Sequence, residues 1–164
     1  MDAWWHEVWQ TLQAEFNGIG DAQQVTQITL RLLFAALLGG ILGFEREHKG
    51  KAAGVRTHML VAMGAALFVL VPQISGAEAD AMSRVVQGVI AGIGFLGAGT
   101  ILKGKAQDAE ENVKGLTTAA GLWMTAAIGV AAGMGKESTA VLSTVLALVV
   151  FSVMPRIVRL FEKP

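Results

Sequence analysis

"GFEREHKGKAAGVRTHML", residues 43 to 60, is the stretch on which the fold turns. It carries eight charged or titratable side chains between Glu45 and His58, and long apolar runs lie on both sides. A helix of about 20 mostly apolar residues crosses the hydrocarbon core of a bilayer. Two such runs with a short charged stretch between them read as antiparallel membrane helices and their connector. Working outward, three further apolar runs follow. The spacing predicts spans over residues 25–44, 57–74, 85–102, 116–134 and 138–153. In the N-terminal segment, residues 1–20, Trp5, Val8, Trp9, Leu12 and Phe16 share one helical face. That pattern suits a helix lying at the headgroups, a level that tryptophan prefers. The expected fold class is therefore all-α: a polytopic membrane protein with five transmembrane helices after an interfacial amphipathic N-terminal helix. Residues 1–164 read as a single transmembrane domain in contact with membrane lipid.

Composition agrees. Of 164 residues, 53% are hydrophobic and only 16% charged, against roughly 25% charged in soluble domains. The net charge is zero and there is no cysteine. These values give no support to a nucleic-acid partner, exclude disulfides and a thiol nucleophile, and offer no zinc spacing. No nucleophile has an adjacent base, so an enzyme is not expected, and neither a cofactor nor a bound metal is. Asp2 and Glu7 stand where a signal peptide would be basic, so the N-terminus reads as retained.

Orientation follows from lysine and arginine. One side of the predicted topology holds ten of them: Arg46, Lys49, Lys51, Arg56, Lys103, Lys105, Lys114, Arg156, Arg159 and Lys163. The other holds Arg84 and Lys136. By the positive-inside rule the charged connectors are cytoplasmic, with the N-terminus periplasmic and the C-terminus cytoplasmic in a bacterial inner membrane. Arg31, the one charge within a span, lies near its outer end and reads as snorkelling to the headgroups. His48 and His58 fall in a connector crowded with charge and read as solvated.

Two features could carry function. The first is the glycine-rich "GVIAGIGFLGAGTILKG", residues 88–104. Gly88 and Gly92 are four apart, as are Gly39 and Gly43, and Gly94, Gly97 and Gly99 add to the stretch. Small residues let helices approach closely in lipid, within one chain or across a homodimer. The same glycines also suit a broken or hinged helix whose freed backbone lines a site. The second feature is the rim of the first connector. Glu45 and Arg46 end one span while Arg56 and Thr57 open the next, so Glu45 is expected to pair with Arg56, or with Arg46 of a neighbouring turn or subunit. With Thr117 and Thr118 at the same membrane face they form a polar cluster, either an ion pair that fixes topology or a site that senses an ion, headgroup or partner. The span interiors after the first contain no Asp, Glu, Lys or Arg. Mg²⁺ dehydrates reluctantly and is held by carboxylates, so bulk transport of divalent ions by one chain is disfavoured.

These stretches carry a resemblance. Residues 31–71 resemble the first two membrane helices of the MgtC/SapB family, and residues 84–103 with 113–135 resemble its third and fourth. The motifs G-x-E-R-E, A-G-x-R-T-H, G-I-G-F-L-G-A-G and G-L-T-T-A-A-x-L-W occur together and in order. The resemblance implies a small bacterial inner-membrane protein linked to magnesium limitation and, in pathogens, to virulence. Members are regarded as modulators of other membrane proteins and ion homeostasis, ATP synthase subunits among them, rather than as carriers. The alternative is a small ion transporter or channel, for Mg²⁺ or another ion, formed at an oligomer interface. Arg84 and Trp123 also match the family, while Lys114 stands where arginine is common. Well-known members carry a cytoplasmic C-terminal domain that this sequence does not show.

Overall fold

In the computed structural model, residues 2–15, 21–105 and 115–161 are described, and all their regular structure is helical. The elements are α1 (Asp2–Glu15), α2 (Ala22–His48), α3 (Val55–Ile74), α4 (Ala79–Lys105), α5 (Leu116–Gly133) and α6 (Glu137–Phe161). Helices α2 to α6 are each long and apolar enough to cross a membrane. Several reach beyond the predicted spans. The connector is shorter than the charge pattern suggests, because α2 runs on through Glu45–His48 and α3 begins at Val55. Hydropathy marks the part of a helix in lipid, whereas the hydrogen-bonded helix continues into the polar rim.

The chain forms two compact units, Met1–Leu30 and Arg31–Pro164. In the first, α1 displays Trp4, Trp5, Trp9 and Leu12 as exposed side chains; Phe16 lies outside the described residues. Asp21 then starts α2 as an N-cap, its Oδ1 accepting from the Gln23 and Gln24 amides at 3.0 and 3.2 Å.

In the second unit α5 is central and packs against α3, α4 and α6. Its sequence explains why. Helices in lipid gain no hydrophobic drive from one another, so close packing of small residues must hold them. A Cβ on Gly129 would lie 2.9 Å from the Ala62 carbonyl carbon, and one on Gly43 would lie 2.6 Å from the Val55 Cα. Gly133 and Gly39 make similar approaches to α3. Any larger side chain would push the backbones apart. Around these contacts Leu42, Ala62, Ala66, Val69, Leu122 and Ile128 are fully buried.

Within the chain, Gly39 and Gly43 stand at close backbone contacts, while Gly88, Gly92, Gly94 and Gly99 make none. Those four are exposed, with nothing within 4 Å of an added Cβ. Gly97 alone of its group packs, with a Cβ 3.3 Å from that of Ala119. The broken-helix reading is corrected: α4 is one continuous helix from Ala79 to Lys105. A glycine costs about 1 kcal/mol against alanine in a helix, which the hydrogen-bonded ladder absorbs when no backbone group is required elsewhere.

Arg31 does more than reach for headgroups. Its Nη1 donates to the Gly133 carbonyl at 2.9 Å and to Gln73 Oε1 at 2.9 Å. It thus closes the C-terminus of α5, where free carbonyls and the negative helix end favour a cation.

Candidate functional site

The opposite end of this unit gathers charge. Glu45 and Arg46 lie in the last turn of α2, His58 in the first turn of α3, Thr118 in the first turn of α5, and Phe151 four residues before Pro155 in α6. Arg46 is 3% exposed and His58 0%. Glycines at the crossings bring these groups together: a Cβ on Gly121 would meet Phe151 Cζ at 3.1 Å and His58 Nε2 at 3.9 Å. An alanine there would begin to wedge α5 from α6.

Phe151 is held twice. The Arg46 guanidinium stacks on its ring, 4.5 Å from the centroid, a cation–π contact. The Lys49 ammonium donates to its carbonyl oxygen at 2.7 Å. That carbonyl is available because Pro155, four residues on, has no N–H to donate. Lys49 also forms an ion pair with Glu45, and Arg46 Nη1 lies 3.9 Å from Glu45 Oε2. His58 Nδ1 donates to the Gly54 carbonyl at 2.9 Å, which leaves Nε2 facing the cluster as an acceptor. Glu47 completes the rim: its Oε2 accepts from the Val55 amide at 2.8 Å and caps α3, whose N-terminus otherwise has no side-chain cap.

Several polar atoms of this cluster make no directed hydrogen bond to another protein group. They are both Glu45 carboxylate oxygens, Arg46 Nε and Nη2, and His58 Nε2. Nε and Nη2 form the edge of the guanidinium that usually grips an oxyanion bidentately. The Glu45 oxygens have only their ion-pair contacts with Lys49 and Arg46, and buried polar groups short of hydrogen bonds are costly, so their concentration at one rim marks a functional candidate. Among the described residues, no three His, Cys, Asp or Glu side chains gather into a group that could hold a metal ion.

The predicted residues divide. Glu45 and Arg46 meet in the cluster, and Thr118 is buried in the first turn of α5. Arg56, Thr57 and Thr117 are exposed, and Glu45 pairs with Lys49 and Arg46 of its own helix, not with Arg56. The cause is helical phase: Arg56 lies two positions before the buried His58, so it projects from another face. His58 itself corrects the solvated reading. It stands in register with Ala62, Ala65, Ala66 and Val69, the buried stripe of α3, a spacing present in the sequence. Lys49 and Phe151 had no such signal, since their meeting depends on the notch that Pro155 leaves. Arg84 and Trp123 lie on exposed faces, as does His48, stacked on Phe44. Lys114 lies outside the described residues.

A second feature is a groove of about 640 Å³ between α3 and α4. Its lining is apolar, with Gly64, Gly88 and Gly92 among Leu60, Phe68 and Leu96.

The chain is similar to known proteins over most of its length. It is 45% identical over 141 residues to the protein SrpB of Synechococcus elongatus, covering 81% of this chain and 78% of that one. It is 40% identical over 134 residues to YhiD of Escherichia coli K12, covering 77% and 60%. It is 43% identical over 128 residues to the protein MgtC of Brucella abortus, covering 78% and 51%. The match thus spans three-fifths of YhiD and about half of MgtC. No solved structure matches. The MgtC family profile matches residues 32–160, a range that holds the packed helices, the groove and every residue of the charged cluster, and the chain belongs to the MgtC family.

Proposed function

We propose that this protein is a modulator of other integral membrane proteins, serving magnesium-related ion homeostasis through helix-to-helix contact within the bilayer. One observation carries the reading. Gly88 and Gly92, one turn apart on the most exposed of the five long helices, face open space beside Gly64 of α3. In lipid such a surface favours a second helix, because the small residues admit a backbone at van der Waals distance. The occupant is a transmembrane helix of a partner protein, with a second copy of this chain as the homodimeric alternative. ATP synthase subunits enter as candidate partners through the family resemblance, as do the links to magnesium limitation and virulence. The lysine and arginine distribution supports a periplasmic N-terminus and cytoplasmic C-terminus in a bacterial inner membrane. To test it, photo-crosslinkers at Gly88 and Gly92 are introduced in cells. A helix of a second protein is expected in the adduct, lost in Gly92→Leu without loss of the folded chain; crosslinking to lipid alone overturns the reading.

The second reading, transport at an oligomer interface, draws on the buried charges at the rim and on YhiD, whose name assigns it provisionally to magnesium transport. Purified protein in liposomes, assayed for Mg²⁺, K⁺ and H⁺ flux, separates the two. The modulator reading expects no flux above empty vesicles.

A further inference from the structure

The Lys49 ammonium sits in a place made for a free cation. It bridges two oxygen ligands of unlike origin, the Glu45 carboxylate and the Phe151 carbonyl. Pro155 exposes the carbonyl, and the surrounding protein shields the carboxylate, whose side chain is 12% exposed. Lys49, in contrast, is 37% exposed and rests on a flexible stem. The ammonium can therefore leave while the two oxygens stay behind, each then short of a partner.

We propose that Glu45 and the Phe151 carbonyl form a binding site for a monovalent cation of the potassium or ammonium class, and that Lys49 is its tethered competitor. An ammonium and a potassium ion are close in size, and the 2.7 Å from Nζ to the carbonyl oxygen suits either. Charge selects the valence. Once Lys49 withdraws, Glu45 faces Arg46 at 3.9 Å, and a single positive charge restores what Lys49 supplied. A divalent ion would add a further charge beside a guanidinium that is 3% exposed. Mg²⁺ also dehydrates reluctantly, so it would bring its water shell to a place where the Lys49 ammonium touches both oxygens directly. The Arg46 guanidinium stacks on Phe151 without help from Lys49, so exchange need change only which cation joins α2 to α6. The site stands on its own ligands, independent of what occupies the groove.

The test uses the full-length protein in detergent, titrated with KCl against N-methylglucamine chloride at constant ionic strength. In Lys49→Ala the melting temperature is expected to rise saturably with K⁺, by about 2 to 4 °C. Adding Glu45→Gln should abolish the rise, and the native sequence should need higher K⁺ for the same effect. Lys49→Gln, neutral and of similar reach, replaces Lys49→Ala if the latter does not fold. Radioactive rubidium binding to the native-sequence protein, lost in Glu45→Gln, tests the site without any Lys49 variant. No K⁺-specific rise and no rubidium binding, an equal rise in the Glu45→Gln background, or a response to Mg²⁺ alone would each overturn the proposal.

Discussion

Replacing Lys49 by methionine removes the donor to the Phe151 carbonyl while keeping most of the stem. A hydrogen bond to a charged group contributes about 1.5–3 kcal/mol. The Lys49 head is more than a third exposed, which places its bond at the lower end, about 1.5 kcal/mol. The ion pair with Glu45 adds about 0–1 kcal/mol after screening. Lys49→Met should therefore cost about 2 kcal/mol. The structural reason can be isolated, because the carbonyl needs Lys49 only while residue 155 lacks an N–H. In Pro155→Ala the ordinary helical bond from residue 155 to Phe151 becomes possible. Lys49→Met in that background should lose only the ion-pair part, about 0–1 kcal/mol. The expected coupling, about 1–1.5 kcal/mol, exceeds the 0.3–0.5 kcal/mol scatter of independent sites. Equilibrium unfolding of the four proteins in mixed micelles, followed by circular dichroism, measures it. An equal cost of Lys49→Met in both backgrounds would refute the argument that the proline exposes the carbonyl.

Other substitutions probe the packing and the caps. Gly129→Leu drives a side chain into the Ala62 backbone and should destabilise by 1–3 kcal/mol or roughly more, whereas Gly92→Leu, facing open space, should leave the melting temperature within a degree or two, about the scatter of a surface change. Arg31→Met should lower stability by about 1 kcal/mol, since the α5 C-terminus loses its donor, and Arg31→Lys should recover part of that in the same unfolding assay. His58→Ala removes a fully buried ring and its bond to Gly54, so a loss of about 2–4 kcal/mol is expected; Met59→Ala, on a less buried face of the same helix, is the control and should cost less.

Much of this protein is decided by periodicity and charge alone. Five apolar runs of bilayer length can only be satisfied as helices in lipid, because each backbone polar group must find its partner within the segment. Spans, connector positions and the bias of lysine and arginine are thus local properties, readable one segment at a time. Which glycines pack is not local. Gly43 and Gly92 stand in the same small-xxx-small spacing, yet one touches the α3 backbone and the other faces open space, because helix neighbours and rotations are chosen by the whole bundle. The charged rim divides in the same way. Its presence is written in residues 45 to 58, but its membership is not. Helical phase turns Arg56 outward and His58 inward, and only the approach of α6, notched by Pro155, makes Lys49 and Phe151 partners. A sequence states which groups are costly to leave alone in a membrane; the tertiary structure decides which group answers each of them, since that depends on distances between segments far apart in the chain.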